Sequence, residues 1–197
     1  MKITRVDVYK FNVPSLHKVI VPIGFLDAAN NVAICVSTDD GIQGWGEASP
    51  FAPITGDSQD SNFAAARLFA SKIMGRNPLS VEARMAEIKT TTVGEPSLRS
   101  AFDMALYDIL GQAAGLPLYR LLGGEERELR TDFTIGMQET VQKTLERLDD
   151  GRARGFEEVK LKVGRPGLAD VEYVAAVRKQ VGPNFAIKID SNQGWDY

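Results

Sequence analysis

The sequence predicts an α+β capping domain over residues 1–124, followed by the first strands of a (β/α) TIM-type barrel over residues 125–197. Two observations favour the barrel. Short strand-like runs recur with helical stretches between them, which is typical of parallel strands joined by right-handed crossovers. Charged residues also alternate with apolar ones within these runs, whereas a doubly wound sheet is apolar on both faces. In a barrel, the inward residues near the carboxyl ends of the strands line the catalytic site.

The capping domain is predicted from its alternating and helical patterns. Asp39-Asp40-Gly41 is a hairpin signal between two alternating runs, and Pro14 is expected to end the first strand. Strands are predicted at residues 2–13, 31–38 and 42–48, and helices at residues 61–74, 80–91 and 97–114. The third helix is apolar on several sides, which indicates a buried helix. Residues 15–27 and 49–58 are expected to be irregular loops, and the first is interpreted either as a flap or as a segment that packs on the barrel.

Three polar residues recur at equal spacing in the predicted barrel strands. Lys162 lies 28 residues after Thr134 and 28 before Asp190, so all three are expected at matching depths. Side chains alternate along a strand, so Lys160 shares the face of Lys162 while their apolar neighbours face the other way. Helices are predicted between these strands, at residues 139–154 and 168–181. The two lysines and Asp190 should therefore converge on one small volume.

Composition indicates an ordinary globular protein. The chain has 197 residues, 44% of them hydrophobic, and a net charge of −3, which gives no indication of binding to nucleic acid or membranes. Its first residues alternate as a strand does, so we expect neither a signal peptide nor a transit peptide. The single cysteine, Cys35, is interpreted as a small buried residue. A cytoplasmic location is expected.

Five stretches of the sequence resemble one family over the whole chain. They are Gly41-Ile42-Gln43-Gly44-Trp45-Gly46-Glu47-Ala48, Ala101-Phe102-Asp103-Met104-Ala105-Leu106-Tyr107-Asp108, Gly115-Leu116-Pro117-Leu118-Tyr119-Arg120-Leu121-Leu122-Gly123-Gly124, Lys160-Leu161-Lys162, and Asp190-Ser191-Asn192-Gln193-Gly194-Trp195. In this order and at these spacings they resemble the mandelate racemase and muconate lactonizing branch of the enolase superfamily. Within that branch, residues 53–58 and 131–134 look most like those of dipeptide epimerases.

The resemblance implies a role for each polar residue. Lys162 would be one of two opposed bases, Lys160 would contact the substrate carboxylate, Thr134 would line the substrate site, and Asp190 would be the first of three Mg²⁺ ligands. Proton removal beside a carboxylate forms an enediolate, which such sites stabilise with Mg²⁺. The adjacent positive charges of Lys160 and Lys162, with a metal nearby, are expected to lower their pKa toward the working range.

The resemblance also leads to expectations about the substrate and about how much of the barrel this chain holds. Members acting on Ala-Glu carry a basic residue in the first loop, where this chain has residues 21–26, Val-Pro-Ile-Gly-Phe-Leu, so an apolar side chain fits better. A complete barrel needs about 250 residues, so the chain as given is expected to hold three strands and to be inactive alone. The full-length protein is expected to be a homo-oligomer acting on a small carboxylate. Alternatives are a muconate cycloisomerase, an o-succinylbenzoate synthase, or a non-catalytic truncated interaction module.

Overall fold

The computed structural model describes residues 1–21 and 24–196, which form two compact units. Met1–Val13 and Ala28–Arg127 make up the first, called here the cap unit. Pro14–Asp27 and Glu128–Tyr197 make up the second, called here the barrel unit. The predicted domain boundary at residue 124 remains a prediction.

The three-stranded sheet has the order β1-β2-β3, with β1 at Ile3–Val21, β2 at Gly24–Thr38 and β3 at Gln43–Ala48. Strand β3 pairs antiparallel with β2, as the predicted hairpin requires. The prediction of an irregular loop at residues 15–27 is wrong, because β1 and β2 continue through most of it. Pro14 does not end β1, since β1 is an edge strand and proline is tolerated at a sheet edge. Pro22 and Ile23, part of the same predicted loop, lie outside the described residues.

Five helices follow β3 in the cap unit. They are α1 at Ala52–Thr55, α2 at Gln59–Ile73, α3 at Val81–Lys89, α4 at Pro96–Ala114 and α5 at Leu118–Leu121. The short α1 lies within the second predicted loop. Helix α4 is buried as predicted, and Phe102 of α4 packs edge-on against Phe69 of α2.

The first family-like stretch has a direct packing role in the cap unit. Gly44 and Gly46 of β3 face α4 so closely that a Cβ on either would overlap a backbone carbonyl, that of Ala105 or of Ala101 respectively. Glycine therefore allows the backbones of strand and helix to touch. Asp108 extends this contact by accepting a hydrogen bond from the backbone N–H of Trp45 at 2.8 Å.

The barrel unit alternates parallel strands with helices, in the order β4 at Phe133–Ile135, α6 at Val141–Ala153, β5 at Glu158–Lys162, α7 at Ala169–Val181 and β6 at Ala186–Asp190. The strands pair in the order β4-β5-β6, and both pairings are parallel. Apolar residues on one face of β4 and β5 form a core with Leu148 of α6 and Val177 of α7. The predicted fold class, an α+β cap followed by the first strands of a (β/α) barrel, is confirmed.

Among the described residues, no helix is long and apolar enough to cross a membrane.

Candidate active site

Strand β5 separates its apolar and charged side chains as the alternation predicts. Val159 and Leu161 are buried in the core beneath the helices, whereas Lys160 and Lys162 lie on the opposite face. The parallel register places Lys162 beside Asp190 of β6. The backbone N–H of Val163 extends this pairing by donating to the carbonyl of Asp190 at 3.0 Å.

Asp190 brings the two lysines together. The Nζ of Lys162 lies 2.7 Å from Oδ2 of Asp190, and the Nζ of Lys160 lies 3.0 Å from the same oxygen. The other carboxylate oxygen, Oδ1, accepts a hydrogen bond from the backbone N–H of Asn192 at 3.0 Å. The Lys162 side chain is 12% exposed and that of Lys160 is 32% exposed. The predicted convergence of these three residues is therefore present in the structure.

The charges of this cluster depend on its shared carboxylate. Hydrogen bonds from Lys162 and then Lys160 hold the pKa of Asp190 well below its usual value. The hydrogen bond to Asp190 raises the pKa of Lys160, although burial opposes the shift. The lowering of this pKa that was expected from the second lysine and a nearby metal does not follow from the lysine pair alone, because the contact with Asp190 acts in the opposite direction.

Thr134 lies on the same side of the sheet as the lysines. It pairs in register with Lys160, its side chain faces away from the apolar core, and its hydroxyl lies 3.4 Å from Oδ1 of Asp132. A second ionic group occupies the amino-terminal ends of the strands, where Lys188 contacts Asp132 at 3.0 Å and Glu158 at 2.8 Å. The sheet face thus carries two layers of opposite charges, and the layer with Lys162 and Asp190 lies at the carboxyl ends.

Asp190 is suited to bind a hard cation such as Mg²⁺. Its carboxylate is 29% exposed and stands at the carboxyl end of a parallel strand, where barrel enzymes hold their cofactors. Among residues 1–21 and 24–196, however, no group of three or more His, Cys, Asp or Glu side chains could hold a metal ion. Asp190 therefore fits the role of one ligand, and further ligands would have to come from other groups.

The sequence did not reveal how the strand ends are tied together. Asp170, at the start of α7, accepts hydrogen bonds from the segment after β5 and from Trp195 in the segment after β6. Its only signal in the sequence was an acidic residue in the first turn of a predicted helix, which ordinarily indicates helix stabilisation. Contacts across 25 residues leave no local pattern.

Family models match both parts of the chain. Residues 5–123 match the mandelate racemase / muconate lactonizing enzyme N-terminal domain, and residues 143–197 match the enolase C-terminal domain-like family. The chain belongs to the mandelate racemase and muconate lactonizing enzyme family. The matches agree with the resemblance expected from the five stretches of sequence.

Curated relatives of this family member include epimerases. The chain is 35% identical to the D-Ala-D/L-Ala epimerase of Cytophaga hutchinsonii, covering 99% of this chain and 53% of that protein. It is 33% identical to the hydrophobic dipeptide epimerase of Enterococcus faecalis, covering 99% of this chain and 55% of that protein. The chain thus spans about half the length of the curated relatives it matches.

Solved structures agree closely with the fold. The Cytophaga hutchinsonii dipeptide epimerase, crystallised with Mg and D-Ala-L-Val, superposes with a TM-score of 0.95 over 100% of this chain and 53% of that chain, at 35% identity. A muconate lactonizing enzyme from Mycobacterium smegmatis, complexed with muconolactone, gives a TM-score of 0.90 at 31% identity over 99% of this chain and 54% of that chain. Both substrate classes therefore occur among close structural neighbours.

Proposed function

We propose that the full-length protein is a Mg²⁺-dependent dipeptide epimerase, which inverts the α-carbon of one residue of a dipeptide. The observation that carries the proposal is the meeting of Lys160, Lys162 and Asp190 at the carboxyl ends of β5 and β6, with both ammonium groups on one carboxylate oxygen. This set supplies a proton-transfer group, a cation for a substrate carboxylate and an oxygen ligand for a metal. The epimerases among the relatives support the same reaction class.

Lys162 is assigned the role of the base because its side chain is less exposed than that of Lys160. As a neutral amine, its Nζ takes the α-proton and becomes an ammonium ion, while the substrate becomes an enediolate. Return of a proton to the opposite face, by a second group outside those assigned here, completes the inversion. Lys160, the more exposed cation, would pair with the substrate carboxylate, and Thr134 would line the same face. Mg²⁺ held in part by Asp190 would stabilise the negative charge of the enediolate.

The pair of strands β1 and β2 favours a dipeptide with an apolar second residue. Its distal part, Pro14–Asp27, belongs to the barrel unit, and the backbone N–H of Met137, just after β4, donates to the carbonyl of Ile20 at 3.2 Å. Residues 21–26 contain no charged side chain, and Phe25 is 53% exposed. Residues 21–26 therefore offer an acidic side chain no cationic partner.

The test is an epimerisation assay of the purified full-length protein with a panel of dipeptides. We expect kcat/KM for apolar dipeptides such as Leu-Tyr to exceed that for Ala-Glu by roughly tenfold or more, because an unpaired carboxylate would be poorly tolerated. Chelation should abolish the activity and added Mg²⁺ should restore it. A preference for Ala-Glu would contradict the substrate assignment, and the absence of any epimerisation would contradict the reaction.

A muconate cycloisomerase is the second candidate, favoured by the muconate lactonizing enzyme among the structural neighbours. It would use the same lysines and Asp190 on a different carboxylate. The same preparation, supplied with cis,cis-muconate, should show no loss of the diene absorbance if the epimerase proposal is right. Rapid lactone formation without dipeptide epimerisation would select the cycloisomerase.

A further inference from the structure

Asp170 is a buried carboxylate with an unusually complete set of donors. Its Oδ2 accepts hydrogen bonds from the backbone N–H groups of Gly164 at 2.8 Å and Arg165 at 2.9 Å, and from the indole Nε1 of Trp195 at 3.0 Å. Its Oδ1 accepts from Nη1 of Arg165 at 3.0 Å. The residue is 5% exposed. None of these donors belongs to α7 itself, so capping of that helix does not account for them.

These contacts join the segments that follow all three strands of the barrel unit. The guanidinium of Arg165 donates through Nη2 to the carbonyl of Gln138, after β4, at 2.7 Å. It also lies 3.8 Å above the ring of Tyr173, whose hydroxyl donates to the carbonyl of Glu139 at 3.0 Å. Because the Arg165 side chain is only 14% exposed, this ion pair is screened little by solvent.

The segment after β6 needs such a restraint. Asn192 and Gln193 both adopt left-handed backbone conformations, with φ of 44° and 64°. Such conformations cost about 1–3 kcal/mol each in a non-glycine residue and persist only where surrounding contacts fix them. One end of the segment is held by the hydrogen bond from Asn192 to Asp190, and the other by the hydrogen bond from Trp195 to Asp170.

The contacts of Asp170 therefore lead to both proposed functional groups. Gly164 and Arg165 lie in the segment after β5, two and three residues beyond Lys162, which ends the strand. Trp195 closes the segment whose first turn contacts the carboxylate of Asp190. Burial raises the pKa of Asp170, but its hydrogen bonds from Gly164, Trp195 and Arg165 outweigh burial and hold the pKa below its usual value. The carboxylate is thus charged at neutral pH and can accept all four bonds.

We infer that Asp170 is a positioning residue that, through Trp195 and the Gly164–Arg165 backbone, sets the orientation of Asp190 and Lys162. The expected effect on metal binding and turnover rests on the proposed function. The restraint of the segments after β5 and β6 rests on the observed contacts alone. Mutation of a residue that supports a metal ligand typically lowers metal affinity or activity about 10- to 100-fold. Loss of the Asp170 contacts should therefore impair metal binding and turnover more than folding.

The experiment compares three variants of the full-length protein. Trp195→Phe removes the indole N–H while keeping an aromatic ring, and Asp170→Asn removes the charge while keeping the shape. The control, Asp149→Asn, makes the same change at a carboxylate of α6 whose partners within residues 1–21 and 24–196 are Gln180, at 3.2 Å, and Arg152, at 4.0 Å. Mg²⁺ affinity is measured by calorimetry, kcat and KM by epimerisation, and thermal stability by circular dichroism.

For Trp195→Phe and Asp170→Asn, we expect Mg²⁺ affinity and kcat to fall about tenfold, with KM changed less than about threefold. The melting temperature of Trp195→Phe should stay within the change seen for Asp149→Asn, in which Mg²⁺ affinity and kcat should match the original protein. That of Asp170→Asn should fall further, because Arg165 loses its buried charged partner. Wild-type Mg²⁺ affinity and kcat in Trp195→Phe would overturn the inference, even if Asp170→Asn fails to fold. The inference would also be overturned if Mg²⁺ affinity and kcat in Trp195→Phe fell only in proportion to a fall in its melting temperature.

Hydrogen exchange separates this inference from the proposed function. In Trp195→Phe, amides of residues 191–196 should exchange faster by about tenfold, while those of β4 remain unchanged. Accelerated exchange in a protein without epimerase activity would uphold the positioning contacts and refute the reaction. Unchanged exchange in an active epimerase would refute the positioning contacts and leave the reaction standing.

Discussion

The two units of the chain use their sheets in opposite ways. In the cap unit, two glycines of β3 bring the strand backbone against α4, and core residues of that helix such as Phe102 and Ile109 are fully buried. In the barrel unit, β5 buries one face and presents charged residues on the other, while Ile189 of β6 is 49% exposed. An open groove of ≈ 550 Å³ lies between β6 and α7. Close packing thus serves stability in the cap unit, whereas the barrel unit leaves one face of its sheet charged and partly exposed.

The largest effect is expected from Gly46→Ala in the cap unit. The new methyl group would overlap the carbonyl of Ala101, and because that obstacle is backbone it cannot turn aside. We expect a loss of about 3 kcal/mol or more in the free energy of unfolding. Denaturant titration measures it, with Gly41→Ala as control, since a Cβ at Gly41 meets no atom within 4 Å and adds only the strain of φ 84°. Equal losses in both variants would show that the contact between β3 and α4 is loose.

Hydrogen exchange of the 197-residue chain should differ between the units. The apolar core of the cap unit encloses β2 and α4, so their amides should exchange roughly tenfold or more slowly than those of β5 and β6. Exchange mass spectrometry on peptides from the two units measures the ratio. Uniform protection through β6 would mean that the barrel unit is as stable as the cap unit.

A smaller effect is expected from Gly151→Ala in α6. Its methyl group would overlap the ring of Phe133, which is a side chain and can shift. Alanine also favours the helix by up to about 1 kcal/mol relative to glycine, so the net loss should be about 1 kcal/mol or less. The same denaturant titration measures it. A loss as large as that of Gly46→Ala would remove the distinction between backbone and side-chain contacts.

The sequence predicted the alternation of β5 and the helix positions, because apolar periodicity is a local property. Two features were beyond its reach. The full length of β1 was missed because Pro14 is typical of a strand end unless the strand is known to lie at a sheet edge. The contact between Asp170 and Trp195 was missed because it joins residues 25 apart, and no local pattern links them. The raised pKa of Lys160 likewise follows from a tertiary contact with Asp190.

The smallest effect is a change in acid sensitivity. The pKa of Asp170 is lower in the folded protein than the unfolded value of about 3.9, so its contribution to stability is present above that pH and is lost as pH falls below it. Asp170→Asn should therefore lose less stability than the original protein between about pH 5 and pH 2.5. Thermal unfolding across this range measures the difference, and Asp149→Asn is the control. An unchanged pH dependence in Asp170→Asn would contradict the assignment of a charged, hydrogen-bonded carboxylate.

The most direct test of the central claim is α-proton exchange in D₂O, measured by NMR with the Lys162→Ala variant of the full-length protein. Lys162, held at 2.7 Å from Asp190 on one side of the site, should serve one face of the α-carbon only. The variant should therefore lose exchange with one enantiomer by a factor of about 10² to 10⁴ and keep exchange with the other. Equal exchange with both enantiomers would show that Lys162 is not the base.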